Sequence, residues 1–254
     1  MLHRRHTRRI VRLTCTLLLA VGLAAPLEAT TLVIIRTGDQ IVIAADSLMT
    51  LYGRRPQLTC KIQRHGDVVF ATAGLVVSSG GVVEFHRIIA NILRRRLPWR
   101  EQAASVEEWL RQPLLRTLRR MAREFPDEFQ THLQQRFTFH VSLAGIQQGR
   151  PALEMREFFV ERNQDGTLEL EVERTSCPEG CAQRSEVFGV GETAEMMRRL
   201  GTMSELPADL PTLARSLVVA EIGEHPEHVG PPVDVVKLDQ GGVDWVDLKP
   251  ACQT

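Results

Sequence analysis

The sequence predicts an α+β domain built as a four-layer αββα sandwich, and three observations predict it. Strand-like and helix-like stretches come in blocks: strands to about residue 75, two helices over 82–124, strands over 137–191, two helices over 192–222, then strands to 248. Blocks in this order pack as two sheets face to face with helices outside both. The apolar runs are long enough for a substantial core, with 43% of all residues hydrophobic. No repeat, linker or low-complexity stretch divides the chain.

The first strands are the clearest. Residues 30–36 and 41–46 are two β-branched, apolar runs around Gly38-Asp39. Valine, isoleucine and threonine suit a pleated surface, and Gly-Asp suits a tight turn, so the stretch reads as an antiparallel hairpin. With Gly38 and Asp39 as the central turn residues, Thr31 faces Asp46 and Thr30 faces Ser47; a turn shifted by one residue puts Thr30 opposite Asp46 instead. A second hairpin pairs 61–64 with 67–72 across His65-Gly66, and Ala73-Gly74 ends it. Residues 82–97 have helical spacing in Val83, Phe85, Ile88, Ile89, Ile92 and Leu93, with Arg94, Arg95 and Arg96 in the last turn. Residues 105–124 form a second helix, opened by a capping box at Ser105 and Glu108, with Trp109, Leu110, Leu114, Leu115, Leu118 and Met121 as its apolar face. The arginines of both helices read as a solvated face. Strands follow at 137–144, 154–161, 167–174 and 187–191. Helices follow at 192–200 and 210–222, and strands at 233–238 and 243–248.

Residues 1–29 are set apart by chemistry. Five arginines precede the apolar run 17–25, and Pro26-Leu27-Glu28-Ala29 closes it. A basic start, a short apolar middle and a small residue at the end describe a secretory signal peptide cut after Ala29, with Ala25 as the competing site. The expected product is a secreted or periplasmic domain over 30–254. The whole chain has 31 basic and 31 acidic residues. Without the leader 26 and 30 remain, a net charge near −4. That balance suggests neither nucleic acid nor an anionic membrane as partner, and no other apolar run is long enough to span a bilayer. Four cysteines remain in the domain. Cys177 and Cys181 are spaced to close a small loop, which leaves Cys60 and Cys252. A zinc site at these cysteines, or at His225 and His228, is the alternative. The spacing favours it less, so no metal or cofactor is expected.

A cut after Ala29 makes Thr30 the first residue. A threonine with its own free α-amine holds a nucleophile and a base in one residue. The hairpin register brings an acid, Asp46, beside it. Asp46 has an ordinary reading as a strand end, since aspartate is depleted in strands. Lysine is scarce: Lys61, Lys237 and Lys249 stand against 28 arginines. Lys61 opens a core strand where this chain otherwise uses arginine. Unlike arginine, a buried lysine shifts its pKa readily. The bland reading is a strand-edge lysine. Its place relative to Thr30 and Asp46 favours a positive charge set beside the nucleophile. Gly74 either just ends its strand or offers an N–H to a developing oxyanion.

Thr30-Thr31, the hairpin, Ala44-Ala45-Asp46-Ser47, Lys61 and Ala73-Gly74 together resemble the start of a proteasome-type β-subunit, a family of N-terminal-nucleophile (Ntn) hydrolases. The resemblance is sharp over 30–75 and beyond that is mainly an order of elements. It implies the Ntn-hydrolase fold, Thr30 as nucleophile, Asp46 and Lys61 as its charged partners, Gly74 as oxyanion donor, and Thr72 lining the pocket that reads the substrate side chain. Two departures stand out. The family's glycine-serine-glycine is met by Gly189-Val190-Gly191, and its Asp-x-x-Ser-Gly by Pro226-Glu227-His228-Val229-Gly230. Both serines are therefore replaced, and Glu227 is the nearest acid.

Three functions follow as expectations. The first is an exported threonine peptidase acting through an acyl-enzyme on Thr30. The second is an amidohydrolase or acylase that uses the same nucleophile on a small amide. The third is a binding or structural protein that has lost the chemistry. A peptide or amide is the expected partner, and the apolar helix faces leave room for a homo-oligomer.

Overall fold

The computed structural model describes residues 30–49, 57–75, 85–135, 137–181 and 185–252. The expected leader at 1–29 and the first residues of the helix expected from 82 lie outside them. The described residues form a mixed α/β structure with three antiparallel sheets and five α-helices. One five-stranded sheet contains β1 (Thr31–Arg36), β2 (Gln40–Ala45), β10 (Glu186–Gly191), β11 (Asp234–Asp239) and β12 (Gly242–Asp247), in the order β10-β1-β2-β11-β12. The other runs in chain order through β5 (Ile62–His65), β6 (Val68–Gly74), β7 (Phe139–Gln147), β8 (Arg150–Arg162) and β9 (Leu168–Cys177). The short strands β3 (Leu48–Met49) and β4 (Gln57–Leu58) pair separately.

The hairpin register is the one the sequence predicts: Leu32 faces Ala45 and Arg36 faces Ile41. Thr37 closes the turn, its N–H donating to Gln40 O (2.9 Å) and its hydroxyl to Asp39 Oδ1 (2.5 Å). β1 and β2 read as continuous apolar runs because both their faces are covered. Leu32, Ile34, Ile41 and Ile43 belong to an apolar cluster that also holds Ile62, Val69, Ala71, Leu153 and Met155 of the second sheet. Val33, Ile35, Val42 and Ala44 pack instead with Met196 of α4 (Ala194–Leu200) and with Leu213, Leu217 and Val218 of α5 (Leu210–Glu224). A third cluster joins Phe70, Phe139 and Phe158 of the second sheet to α1 (Phe85–Leu93), α2 (Trp99–Glu124) and α3 (Pro126–Gln135).

The helical region differs from expectation in five ways. α1 ends at Leu93, so Arg94, Arg95 and Arg96 follow the helix rather than fill its last turn, and Arg96 takes a φ of 51°. α2 starts at Trp99, and Ser105 lies inside it. Pro98 sets this start. Its ring keeps Leu97 out of the helical region, and its carbonyl accepts the Gln102 N–H (2.9 Å). Glu107, next to the supposed capping glutamate, has another task. Its carboxylate accepts from Arg111 (2.9 Å) and Arg174 (2.6 and 2.7 Å) and lies 3.3 Å from Arg156 Nε, tying the helix to β8 and β9. Part of the presumed solvated arginine face is thus in use. Trp109 is half-exposed rather than core, with the Arg95 guanidinium over its ring. α3 has no counterpart in the expectation, although Pro126 followed by Asp127 and Glu128 is a good helix start.

Both cysteine pairs are disulfides, Cys60–Cys252 and Cys177–Cys181. Cys177, Cys181 and Glu186 are grouped closely enough to be metal ligands, but the disulfide occupies both sulfurs. Among the described residues no helix is long and apolar enough to cross a membrane.

Candidate active site

Asp46 follows the last residue of β2 and is fully buried. A buried carboxylate needs hydrogen-bond donors, and Asp46 has four. Oδ1 accepts from Lys61 Nζ (2.5 Å) and Thr31 N (2.8 Å). Oδ2 accepts from Leu48 N (2.9 Å) and Gly230 N (3.2 Å). The oxygen that accepts the hydrogen bond of the lysine ammonium therefore also accepts that of the N–H of the residue after Thr30. Lys61, just before β5, is 1% exposed. Burial pushes its pKa below the ordinary lysine value, the Asp46 charge and hydrogen bond pull it back up in part, and Lys249 adds to the lowering.

Thr30 is buried just before β1. Its carbonyl accepts the Glu192 N–H (2.9 Å), and the Thr31 hydroxyl donates to Glu192 O (2.9 Å). The segment 189–191 thus runs beside the nucleophile candidate: Thr31 pairs with Gly191 and Leu32 with Val190. Gly191 has a φ of +83°, and a Cβ there would collide with Thr30 O. Gly191→Ala is expected to cost about 3 kcal/mol or more in thermal unfolding, since both the φ and the space exclude a side chain. Gly223→Ala, on α5 where a Cβ meets nothing within 4 Å, is the control and should be neutral or slightly stabilising.

Both departures from the family pattern are buried. Val190 is buried in the cluster between the sheets. Val229 is buried and precedes Gly230, whose N–H reaches Asp46. Two methyl-bearing side chains therefore stand at positions where the resemblance implies hydroxyls. Glu227 does not join Asp46 and Lys61. It is exposed, with Oε1 3.5 Å from His228 Nε2 and 4.0 Å from His225 Nδ1.

Gly74 ends β6 at a φ of +81°. A Cβ there would meet Thr138 O at 2.6 Å and Phe137 Cε1 at 2.9 Å, so glycine alone fits. Thr72, two residues earlier on the same strand, is fully buried with its hydroxyl 2.5 Å from His86 Nε2. Gln63 Nε2 lies 2.9 Å from His86 Nδ1. The sequence reading missed His86 and Gln63, because nothing in the sequence pairs a residue of α1 with two adjacent strands. Burial lowers the His86 pKa from 6.5 to about 4. Between these values the unfolded chain binds a proton that the folded chain refuses, so stability rises with pH. Acidification from pH 6.5 to 4 is expected to remove about 2 kcal/mol of stability through this group. Urea unfolding at each pH should show a shallower fall in His86→Leu.

A second buried cation was also missed. Lys249 Nζ donates to Ser47 Oγ (2.5 Å) and Asp234 Oδ2 (2.5 Å). The scarcity of lysine was the available signal, and it points to Lys249 as well as Lys61.

No protein-family model matches the chain, and no curated protein sequence does. Solved structures do match. One is Anbu from Yersinia bercovieri, described as an ancestral beta-subunit: TM-score 0.53, 16% identity, covering 85% of this chain and 87% of that one. A second is a Gly-1 mutant of Anbu from Hyphomicrobium sp. strain MC1, with a TM-score of 0.52 and 15% identity over 87% of this chain and 86% of that one. A third is a helical assembly of the Anbu complex from Pseudomonas aeruginosa, with a TM-score of 0.52 and 18% identity over 82% and 81%. At such identities the likeness is one of fold, and over most of its length this chain is folded like the Anbu structures.

Proposed function

We propose that this chain is an exported N-terminal-threonine hydrolase of the proteasome-like kind, a single Ntn-type domain over 30–254 that cleaves peptide bonds once residues 1–29 are removed. The observation that carries the reading is Asp46 Oδ1, which accepts from both Lys61 Nζ and Thr31 N and so ties a buried ion pair to the residue after the nucleophile. The three apolar clusters fit the four-layer order of helices, sheet, sheet, helices. The Pseudomonas aeruginosa complex forms a helical assembly, and self-association of this chain is part of the proposal.

The chemistry follows from the groups present. Thr30 Oγ attacks the amide carbonyl as its proton passes, through a water, to the free α-amine. That amine has a reference pKa of about 8, close enough to neutral to act as a base. The Oγ–C bond forms and the carbonyl oxygen becomes an oxyanion, which the Gly74 N–H stabilises. The C–N bond then breaks. The α-ammonium gives its proton to the leaving amine, and an ester on Thr30 remains. Water, deprotonated by the same amine, hydrolyses the ester and restores Thr30. Lys61 supplies positive charge beside Oγ, and Asp46 holds Lys61. Thr72 contributes to the wall facing the substrate side chain.

Val190 and Val229 favour a second reading, a protein of this fold that binds without cutting, because they remove both auxiliary hydroxyls. The test is covalent. An epoxyketone bridges a hydroxyl and an adjacent free amine, so incubation with exported protein should give an adduct that mass spectrometry maps to an N-terminal Thr30. A mature chain that starts at Thr30, is folded and stays unlabelled overturns the hydrolase in favour of the binding protein. A chain that starts at Pro26 or keeps its leader overturns the mechanism. Labelled protein that turns over small amides but not peptides gives the acylase.

A further inference from the structure

Two of the three lysines in this chain are buried within one network. Lys249 follows β12. Its ammonium donates to Ser47 Oγ and Asp234 Oδ2, and its N–H to Asp234 Oδ1 (2.9 Å). Ser47 directly follows Asp46. Its hydroxyl donates to Pro232 O, and its N–H to Gly230 O (2.9 Å). Gly230 in turn donates its own N–H to Asp46 Oδ2. The segments are also joined covalently: Cys60, the residue before Lys61, is bridged to Cys252, whose N–H donates to Lys249 O (2.9 Å).

We infer that Lys249 is a positioning residue for Lys61 and Asp46: seated between Ser47 and Asp234, it fixes the Asp46-Ser47 corner and sets a second positive charge against Lys61. The inference rests on the hydrolase reading for its consequence in catalysis. A buried ion pair that only stabilised the fold would need no serine of the active-site corner as a third partner, and either charge could sit anywhere in the core. Here the pair meets the backbone that carries Asp46 and is locked to the segment that carries Lys61. Among the described residues the charged groups of this region are Asp46 after β2, Asp234 at the start of β11 and the two lysines, to which the proposed mechanism adds the Thr30 α-amine of processed protein. Asp46 raises the pKa of Lys61 and Lys249 lowers it, in addition to burial. A second positive charge in the same buried region favours loss of the Lys61 proton. Lysine suits the seat: a compact ammonium reaches one hydroxyl and one carboxylate, where a planar guanidinium is built for two-point contact.

The small number of lysines makes the test direct. Protein labelled with 13C at lysine Cε should give three resonances, assigned with Lys61→Arg and Lys237→Arg. Lys237, on the surface with Asp239 (2.9 Å), is the reference that titrates at or above the ordinary lysine range. Lys61 should titrate below it. In Lys249→Met the Lys61 midpoint should move up. The kcat of the processed enzyme should fall on the order of 10²-fold, as misplaced groups typically cost, with KM little changed and the pH limb set by Lys61 moved the same way. Lys249→Met leaves Asp234 buried without its cation. If that variant does not fold, Asp234→Asn/Lys249→Met removes the orphan charge, and the upward shift should persist. A Lys61 midpoint that stays put in either folded variant overturns the inference. The NMR titration needs no turnover. An unlabelled, inactive protein whose Lys61 midpoint still moves would therefore sink the hydrolase while the coupling of Lys249 to Lys61 stood.

Discussion

Thr30→Ala, in protein processed to residue 30, is expected to fold like the parent and to lose turnover by on the order of 10⁴-fold or more. Removing a covalent nucleophile costs this much because the remaining groups stabilise a transition state that no longer forms. The fold has little to lose. The substitution removes one hydroxyl and one methyl at the entry to β1, while the bond from Glu192 N to Thr30 O is made by the backbone and stays. A stability change near 1 kcal/mol is the scale for such a truncation. Hydrolysis of a fluorogenic peptide together with a thermal melt separates the two effects. Thr30→Ser, which keeps the hydroxyl, should retain measurable rate. Full turnover in Thr30→Ala would move the nucleophile elsewhere. Collapse of the fold would make Thr30 a structural residue.

How far this site could be read without coordinates depends on sequence separation. Thr30 and Asp46 come from one hairpin, where a period of two and a turn fix which residues meet, whereas Lys61 reaches Asp46 from the other sheet and was legible only through the family resemblance. The register placing Thr31 against Asp46 needs only the count across Gly38-Asp39, and Asp46 N–H does donate to Thr31 O (3.2 Å). Ser47, Asp234 and Lys249 are far apart in the chain, the first and last separated by 202 in residue number. Only the return of β11 to the free side of β2 brings them together. No local pattern encodes that neighbourhood. The errors at the helices have a different origin. Ser105 and Glu108 satisfy the capping pattern, but Pro98 had already started α2, and a pattern for a helix start says nothing once the helix is running. Thr72 shows a third limit: its strand was predicted, but the partner of its hydroxyl, His86, lies on α1.

Lys61→Met should cost stability heavily and should also abolish activity. Breaking a buried pair from one side typically costs about 3–5 kcal/mol, because the remaining charge is left in a medium that solvates it poorly. Three backbone N–H groups, from Thr31, Leu48 and Gly230, still hold the Asp46 carboxylate, which places the expected loss near the lower end, about 3 kcal/mol. Asp46→Ala/Lys61→Met should then be less destabilised than the two single changes added together, by about 2 kcal/mol in urea unfolding. An additive result would mean that the pair contributes nothing as a pair. The pH dependence gives a second check. The folded pKa of Lys61 lies below its unfolded value, so between the two the unfolded chain binds more protons and stability rises with pH. Lys61→Met should lose that alkaline rise. Lys61→Arg keeps the charge and should still be inactive. Asp46 Oδ1 is shared with Thr31 N–H and Oδ2 is taken by Leu48 and Gly230, so the carboxylate offers a guanidinium no free edge for two-point pairing. An active Lys61→Arg enzyme would mean that positive charge alone is required, whatever the size and geometry of the group that carries it.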